Sequence, residues 1–356
     1  MDEKLINSFL ELLIEKNGSD MFLTYNEVPS IRINMQIHRM EDTQKLNDKI
    51  LNRLSSELVN NETTRAKFQK ELNIDLSVEH HGRRFRINVS RSQEHFMIVI
   101  RLLMNTIPKL SDVASEKVIH DIVHKPSGII LVAGPTGSGK STLLASMIQE
   151  INEHKQKHII SIEDPIEYVF EPKQCIIEQK ELYQDVVSFS SALKFALRQN
   201  PDVILFGEMR DQDSIKNAIT LAETGHLVLT TIHSKSSGQT ISKIIDSFPA
   251  EQQNQVRVQL SETLLAVISQ RMFHTKNHEG IALAQEIMVN NSAVSNSIRK
   301  NDIKGLNSII MTGSHYGMKL LENDLITLVE QDILDLQDAL LYANNPNYIL
   351  EYFGKK

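Results

Sequence analysis

Residues Gly134 to Thr142 read Gly134-Pro135-Thr136-Gly137-Ser138-Gly139-Lys140-Ser141-Thr142, a glycine-rich turn closed by a lysine and two hydroxyls. Glycines at 134, 137 and 139 let successive backbone N–H groups wrap a polyphosphate without Cβ clashes. A helix starting at this point directs its positive dipole end at the same anion. Lys140 can reach β- and γ-phosphates, and the Ser141 hydroxyl can ligate Mg²⁺. The apolar run Gly128–Ala133 before the turn and a helical pattern after it give the strand–loop–helix context that this chemistry requires. The spacing implies ATP or GTP binding.

Three further groups could serve that site. The apolar run Val203–Phe206 leads through Gly207 into Glu208, and a carboxylate after a strand of a P-loop sheet can hold Mg²⁺ or its water shell. Ile162-Glu163-Asp164-Pro165-Ile166-Glu167 ends another apolar run with three carboxylates. A carboxylate beside a γ-phosphate can orient or deprotonate the attacking water, whereas a solvated acidic turn shaped by Pro165 is the plainer reading. His226 and His233 bracket Leu227–Ile232. Seven residues apart on a strand, they face opposite sides and do not share one metal ion; each is either a phosphate contact or a hydrogen-bonded structural histidine. Arg83, Arg84, Arg86, Arg91 and Arg101 form a local basic concentration. A solvated strand face, a nucleic-acid surface and a set of arginine fingers all fit it.

The elements that position these groups follow from periodicity. Leu5, Ile6, Phe9, Leu10 and Leu13 predict a helix, with Gly18 placed to end it. Met21–Thr24 and Ile31–Ile37 read as strands, Leu46–Val59 as an amphipathic helix, and Ile74–Val78 with Arg84–Val89 as a hairpin around His80-His81-Gly82. Phe96–Leu103 adds a strand. Residues 1–103 thus form a small α+β domain, 104–112 a short linker and 113–356 a second domain. In the latter, strands Ile129–Ala133, Ile159–Ile162, Val203–Phe206 and Leu227–Thr231 alternate with helices Ser141–His154, Ser188–Arg198 and Asp213–Thr224, the last with Asp213 as N-cap and Gly225 beyond its end. Such alternation predicts an α/β fold with a mostly parallel sheet. After residue 252 the pattern is helical almost throughout, beginning with Val256, Leu260, Leu264, Val267 and Ile268, so an all-helical C-terminal end is expected.

Composition sets the outer bounds. The 356 residues suit roughly two domains. Hydrophobic residues at 41% and charged ones at 23% exclude a disordered tail protein. The 38 basic and 45 acidic residues give a net charge of −7, and there is no Trp, so no nucleic-acid surface is advertised and none is expected as a partner. Cys175 is the only cysteine, which rules out an intrachain disulfide and a cysteine-built zinc site. No apolar stretch approaches the roughly 20 residues of a membrane span, and the start does not resemble a secretory signal. A cytoplasmic protein is expected.

Taken together the motifs resemble the secretion ATPase superfamily of type II and type IV secretion and type IV pili, closest to its PilT/PilU-type pilus-retraction branch. On that resemblance Gly134–Thr142 is the Walker A loop, Ile162–Glu167 the Asp box, Gly207-Glu208-Met209-Arg210-Asp211 the Walker B end, and Ala222–His233 the His box. Asn200–Ile204 and Ser247–Ala250 are further family-like strings. The resemblance implies a PAS-like N-terminal domain joined to a RecA-like P-loop ATPase domain, assembled as a homohexamer. It implies Lys140 and the loop as the ATP site, Ser141 and Glu208 on Mg²⁺, Glu163 as the base that activates water, and His226 and His233 as phosphate-sensing or coupling residues. It also implies that Arg84, Arg86 and Arg101 approach ATP. Export and assembly members usually carry a four-cysteine zinc module, which one cysteine cannot build, and extra N-terminal domains, for which these 356 residues are not expected to have room. The implied function is therefore an ATP-hydrolysing motor for pilus retraction and twitching motility. It would act from the cytoplasm on an inner-membrane pilus platform protein, with a second paralogous motor as a further partner. The alternatives are a motor for pilus assembly or type II secretion, and a nucleic-acid translocase on the same core.

Overall fold

The computed structural model describes residues 4–33, 36–103, 106–114, 116–209, 211–277 and 280–354. By its contacts the chain divides into two units. The first runs to Ile107 and takes in Ile162–Val169 and Gln179–Ser191; the second comprises Pro108–Ser161, Phe170–Glu178 and the chain from Ala192 onward. Those two inserted segments, one of them the acidic turn after Glu163, lie within the stretch that the sequence assigns to the second domain.

In the first unit, chain order is α1 (Leu5–Glu15), β1 (Asp20–Leu23), β2 (Ser30–Ile33), β3 (Gln36–Arg39), α2 (Asp48–Leu58), α3 (Glu62–Glu71), β4 (Asn73–His80), β5 (Arg83–Ser92) and β6 (His95–Leu102). The strands form an antiparallel sheet in the order β3-β2-β1-β6-β5-β4. One face packs Met21, Phe85, Ile87, Ile98 and Ile100 against Ile6, Leu10 and Leu13 of α1 and Leu51 and Leu54 of α2. Strand alternation then sends Arg84, Arg86 and Arg101 to the opposite face.

Three details differ from the sequence reading. The run Ile31–Ile37 divides into β2 and β3, with residues 34 and 35 outside the described residues. α3, which has little amphipathic character, is not legible from periodicity. The residue that ends α1 in the left-handed region is Asn17 (φ 51°), not Gly18. Asn17 N–H donates to Ile14 O and Gly18 N–H to Leu13 O, a Schellman closure. Gly18 serves packing instead: a Cβ there would lie 2.4 Å from Ile31 Cγ2.

After the first unit's sheet the chain continues with α4 (Leu110–Val113), α5 (Val118–Val123), β7 (Gly128–Ala133), α6 (Lys140–His154), β8 (His158–Glu163), β9 (Ile176–Glu181), α7 (Phe189–Ala196), β10 (Val203–Phe206), α8 (Gln212–Glu223) and β11 (Leu227–Ile232), the ends of β8 and β9 and the start of α7 falling in the two inserted segments. Then come α9 (Ser237–Asp246), α10 (Ala250–Thr263), β12 (Leu264–His274), β13 (Ile281–Val289), α11 (Ser292–Arg299), α12 (Leu306–Thr312), α13 (Leu321–Glu330), α14 (Leu336–Tyr342) and α15 (Pro346–Gly354). The sheet order is β13-β12-β7-β11-β10-β8-β9, with β11 parallel to β7 and β10, and β12 parallel to β7. Every residue of β7, β10 and β11 is buried, as expected for strands covered by helices on both faces.

The C-terminal end needs a correction. It is helical in α10 and again from α11 onward, but Leu264–His274 and Ile281–Val289 form an antiparallel pair at the sheet's edge. Leu264, Val267 and Ile268 have helical spacing only because the whole run is apolar and buried, and periodicity cannot separate a helix from a strand in such a run. Pairing with β7 decides it. The N-cap of α8 is likewise Asp211 rather than Asp213: its Oδ1 accepts from Ser214 N–H at 2.8 Å, and its own N–H donates to Ser214 Oγ at 3.3 Å.

Candidate nucleotide-binding site

β7 delivers the chain to Gly134 and α6 carries it away from Gly139, so the glycine-rich turn spans the gap between a fully buried strand and a helix N-terminus. Two of its glycines are demanded by geometry. At Gly134 (φ 152°) a Cβ would sit 2.4 Å from Gln270 O and from Ser138 Oγ; at Gly139 (φ 81°) it would meet Gln270 Nε2 at 2.7 Å. Pro135, Thr136 and Gly137 form the exposed rim of the turn, while Ser138 and Lys140 are buried. Ser141 and Thr142 occupy the first turn of α6. Lys140 Nζ donates to the carbonyls of Gly134 (3.0 Å) and Pro135 (2.8 Å). Neutral carbonyls are weaker partners for an ammonium than phosphate oxygens, so an arriving polyphosphate can take these bonds over. Ser138 Oγ is buried without a hydrogen-bond partner, a second polar group at the cradle that a ligand could satisfy.

Beneath the turn lies a support that the sequence does not announce. Gln270 on β12 and Gln285 on β13 are directly opposite one another in register, and both are buried. Gln270 Nε2 donates to Ser138 O at 2.6 Å, and its Oε1 accepts from Gln285 Nε2 at 3.0 Å. Gln285 Nε2 also donates to Val113 O at 2.9 Å. Two buried amides thus tie the turn to the start of the second unit. A glutamine in an apolar run carries no signal until strand pairing brings a partner opposite.

Glu208 follows β10 and is held by the neighbouring strand β11. Thr231 Oγ1 donates to Gly207 O at 2.6 Å, and Met209 N–H donates to Thr231 O at 3.0 Å. Glu208 Oε1 is 3.2 Å from His233 Nε2, and His233 is partly exposed. Of the two histidines, then, His233 joins the carboxylate. Arg210, between Met209 and Asp211, lies outside the described residues.

His226 stands at the other end of β11. Gly128 N–H, at the start of β7, donates to His226 O. Six residues of parallel strand, about 20 Å, separate that edge from the glycine turn. The His226 ring closes α8 instead, with Nδ1 2.9 Å from Leu221 O and 3.1 Å from Thr224 Oγ1. Within one chain, therefore, His226 lies at the strand end away from the phosphate cradle. The family-like string around Pro201 is structural as well. Asp202 accepts from His158 N–H and pairs with Lys157 Nζ at 2.8 Å. Burial raises its carboxyl and is the largest single influence, but the hydrogen bonds and charges of Lys157 and His158 together outweigh it and the net shift is downward.

In the first unit Arg86 and Arg101 share one cross-strand row, and Arg84 stands two residues from Arg86 on the same face of β5, opposite Glu79. Cross-strand register runs Arg32–Asp20–Arg101–Arg86–Ser77. Arg101 Nε donates to Asp20 Oδ1 (2.8 Å), Arg86 Nη2 to Asp75 Oδ2 (2.9 Å) and Arg84 Nη2 to Glu181 Oε2 (3.2 Å). Burial pulls Arg86 downward, yet the Asp75 bond and the charges of Glu167 and Asp164 outweigh it and hold the guanidinium above its ordinary value. These side chains are therefore carboxylate-paired: Arg84 is mostly buried and Arg86 half-buried, whereas Arg101 is paired and still exposed on the strand face. Glu163, the last residue of β8, accepts a long 3.4 Å bond from Gln179 Nε2, and its carbonyl accepts from Leu182 N–H. Among the described residues no helix is long and apolar enough to cross a membrane.

Comparison with known proteins agrees with this arrangement. Residues 1–321 match the family described as type II/IV secretion system protein. The chain is 41% identical over 318 residues to the twitching motility protein of Neisseria gonorrhoeae, covering 89% of this chain and 84% of that protein. It is 38% identical over 342 residues to the type IV pilus retraction ATPase PilT of Pseudomonas aeruginosa, covering 96% and 98%. A crystal structure of the pilus retraction motor PilT with bound ADP superposes with a TM-score of 0.88 at 37% identity, covering 98% of this chain and all of that one. The strand–turn–helix cradle and the matched length together place the chain in the type II/IV secretion system protein family.

Proposed function

We propose that this chain is an ATP-hydrolysing motor that powers retraction of type IV pili, the activity behind twitching motility. The observation that carries the reading is the cradle itself. Lys140 is held on two replaceable carbonyls inside a turn of left-handed glycines, in a chain that matches a retraction ATPase over nearly its full length.

Mg²⁺ fits the donors present, all oxygens: the Ser141 hydroxyl and the Glu208 carboxylate would hold the ion or its waters, and the ion would offset charge on the phosphates. Within this reading Lys140 draws electron density from the β- and γ-phosphates, and His233 fixes the Glu208 carboxylate. Glu163 accepts a proton from the attacking water. Arg84, Arg86 and Arg101 supply positive charge to the γ-phosphate, which requires them to leave their present carboxylate partners. Work would be done by a homohexamer on an inner-membrane platform protein of the pilus, with a related second motor able to share the load and the chain held peripherally at that membrane.

Purified protein with ATP and Mg²⁺ gives the test. Native mass measurement should find six copies, and steady-state turnover should vanish in Lys140→Ala and fall at least about a hundredfold in Glu163→Gln. Full turnover in either variant would remove the mechanism.

A further inference from the structure

The tip of the β4–β5 hairpin gathers two histidines and a carboxylate that the nucleotide-site reading does not use. His80 is the last residue of β4 and His81 the first of the two-residue turn, where His81 (φ 49°) and Gly82 (φ 67°) are both left-handed. That is the type I′ pattern. On a continuing strand, adjacent side chains would point to opposite faces. The left-handed backbone at His81 breaks that alternation, and both imidazoles turn toward one carboxylate on α1. His80 Nε2 lies 2.9 Å from Glu11 Oε1 and His81 Nε2 lies 3.4 Å from the same oxygen. The ring centroids are 4.1 Å apart, and one ligand atom from each of the three residues falls within 4.8 Å of the others.

We propose that Glu11, His80 and His81 form a binding site for a divalent transition metal of the Zn²⁺ class. A tetrahedral zinc with bonds of roughly 2.0–2.1 Å needs ligand atoms about 3.3 Å apart. The two separations from Glu11 bracket that value. His80 is largely buried, with 12% of its side chain exposed, and forms a fixed ligand; His81 is 72% exposed and can swing to close the third edge. Two imidazoles and a carboxylate leave one tetrahedral position open for water or a further ligand. Mg²⁺ prefers six oxygen ligands, so the ion used with nucleotide does not compete for this site. Bound metal would pin the hairpin tip to α1.

The test uses the full-length protein, dialysed free of nucleotide and chelator, with Zn²⁺ titrated calorimetrically in the presence of millimolar Mg²⁺. Histidines 120, 124 and 154 gather around Glu150 at 3.7, 3.5 and 3.3 Å and would give background uptake, so the reading is the difference between proteins. Wild type should bind one equivalent that Glu11→Gln and His81→Asn each weaken by at least about tenfold, the scale on which even outer-shell partners act. Asparagine tolerates the left-handed turn and the carboxamide keeps the Glu11 shape, so both variants should fold; far-ultraviolet circular dichroism checks this. The visible spectrum of Co²⁺ bound to the wild type gives a second reading, tetrahedral with nitrogen ligands. Zn²⁺ affinity unchanged in either variant, or no Zn²⁺ uptake by wild type, overturns the assignment.

Discussion

Replacing Gln270 by leucine tests whether the buried amide pair positions the phosphate cradle or merely fills the core. The substitution removes the 2.6 Å bond to Ser138 O and the 3.0 Å bond from Gln285, which keeps the Val113 carbonyl. A lost hydrogen bond costs about 1 kcal/mol, and a buried carbonyl left unsatisfied about 1–3 kcal/mol. Water can reach the exposed rim at Pro135–Gly137, so the cost should fall near the middle, about 2 kcal/mol. Spent on the population of binding-competent turns, that weakens nucleotide roughly 30-fold. Spent on the second unit's stability alone, it lowers the melting midpoint by roughly 4–8 °C with affinity untouched. Titration of a fluorescent ATP analogue, paired with a melting curve, separates the two. We expect a dissociation constant raised about ten- to thirtyfold, with a smaller change for Gln285→Leu, which acts only through its partner. A constant within twofold of wild type would refute the positioning argument, whatever the melt shows.

Three other outcomes follow from the same geometry. Gly139→Ala forces a left-handed alanine, about 1–2 kcal/mol, and drives Cβ against Gln270 Nε2 at 2.7 Å and Met272 Sδ at 2.9 Å, whereas Gly137→Ala meets nothing within 4 Å. Urea unfolding should therefore find Gly139→Ala the less stable of the two; equal midpoints would contradict the contact argument. Thr231→Val keeps its shape but strands Gly207 O, at about 1–2 kcal/mol. Turnover should drop by up to about tenfold with Glu208 unanchored, and a rate within twofold of wild type would show that the anchor is idle. Glu286, buried under Ser237 N–H and Asn344, has its carboxyl raised above the ordinary 4.5, by burial first and the Glu322 charge next. A raised folded value means stability fully present below the unfolded value, about 4.5, and lost as pH rises through the higher folded one. The melting midpoint of Glu286→Gln should thus gain on wild type as pH rises above about 4.5, and parallel curves would refute the assignment.

The cradle was legible because its code is local. Strand, glycines, lysine and helix are contiguous, and each glycine marks a backbone angle that other residues avoid. The parallel core strands were equally plain, being short apolar runs between turn residues. What failed is what depends on distant partners. Leu264–His274 became a strand only because β7 offered an edge, and Gln270 acquired meaning only opposite Gln285. Asp211 and Asp213 compete as caps on equal sequence terms, and the returning Ser214 hydroxyl selects Asp211. The arginines were visible as charges, but Asp20, Asp75 and Glu181 come from other strands and other segments, so their pairing was not. His226 and His233 looked equivalent around one strand; direction decided between them, since only one stands at the end where β7 opens into the turn.

The central claim, that hydrolysis in this chain pulls pili back, is tested most directly by imaging labelled pili on cells of the source organism with the gene deleted. We expect surplus surface pili that extend and never shorten, with retraction restored by the wild-type gene and not by Lys140→Ala. Cells without pili would make the chain an assembly motor, and unchanged pilus dynamics would contradict the account altogether.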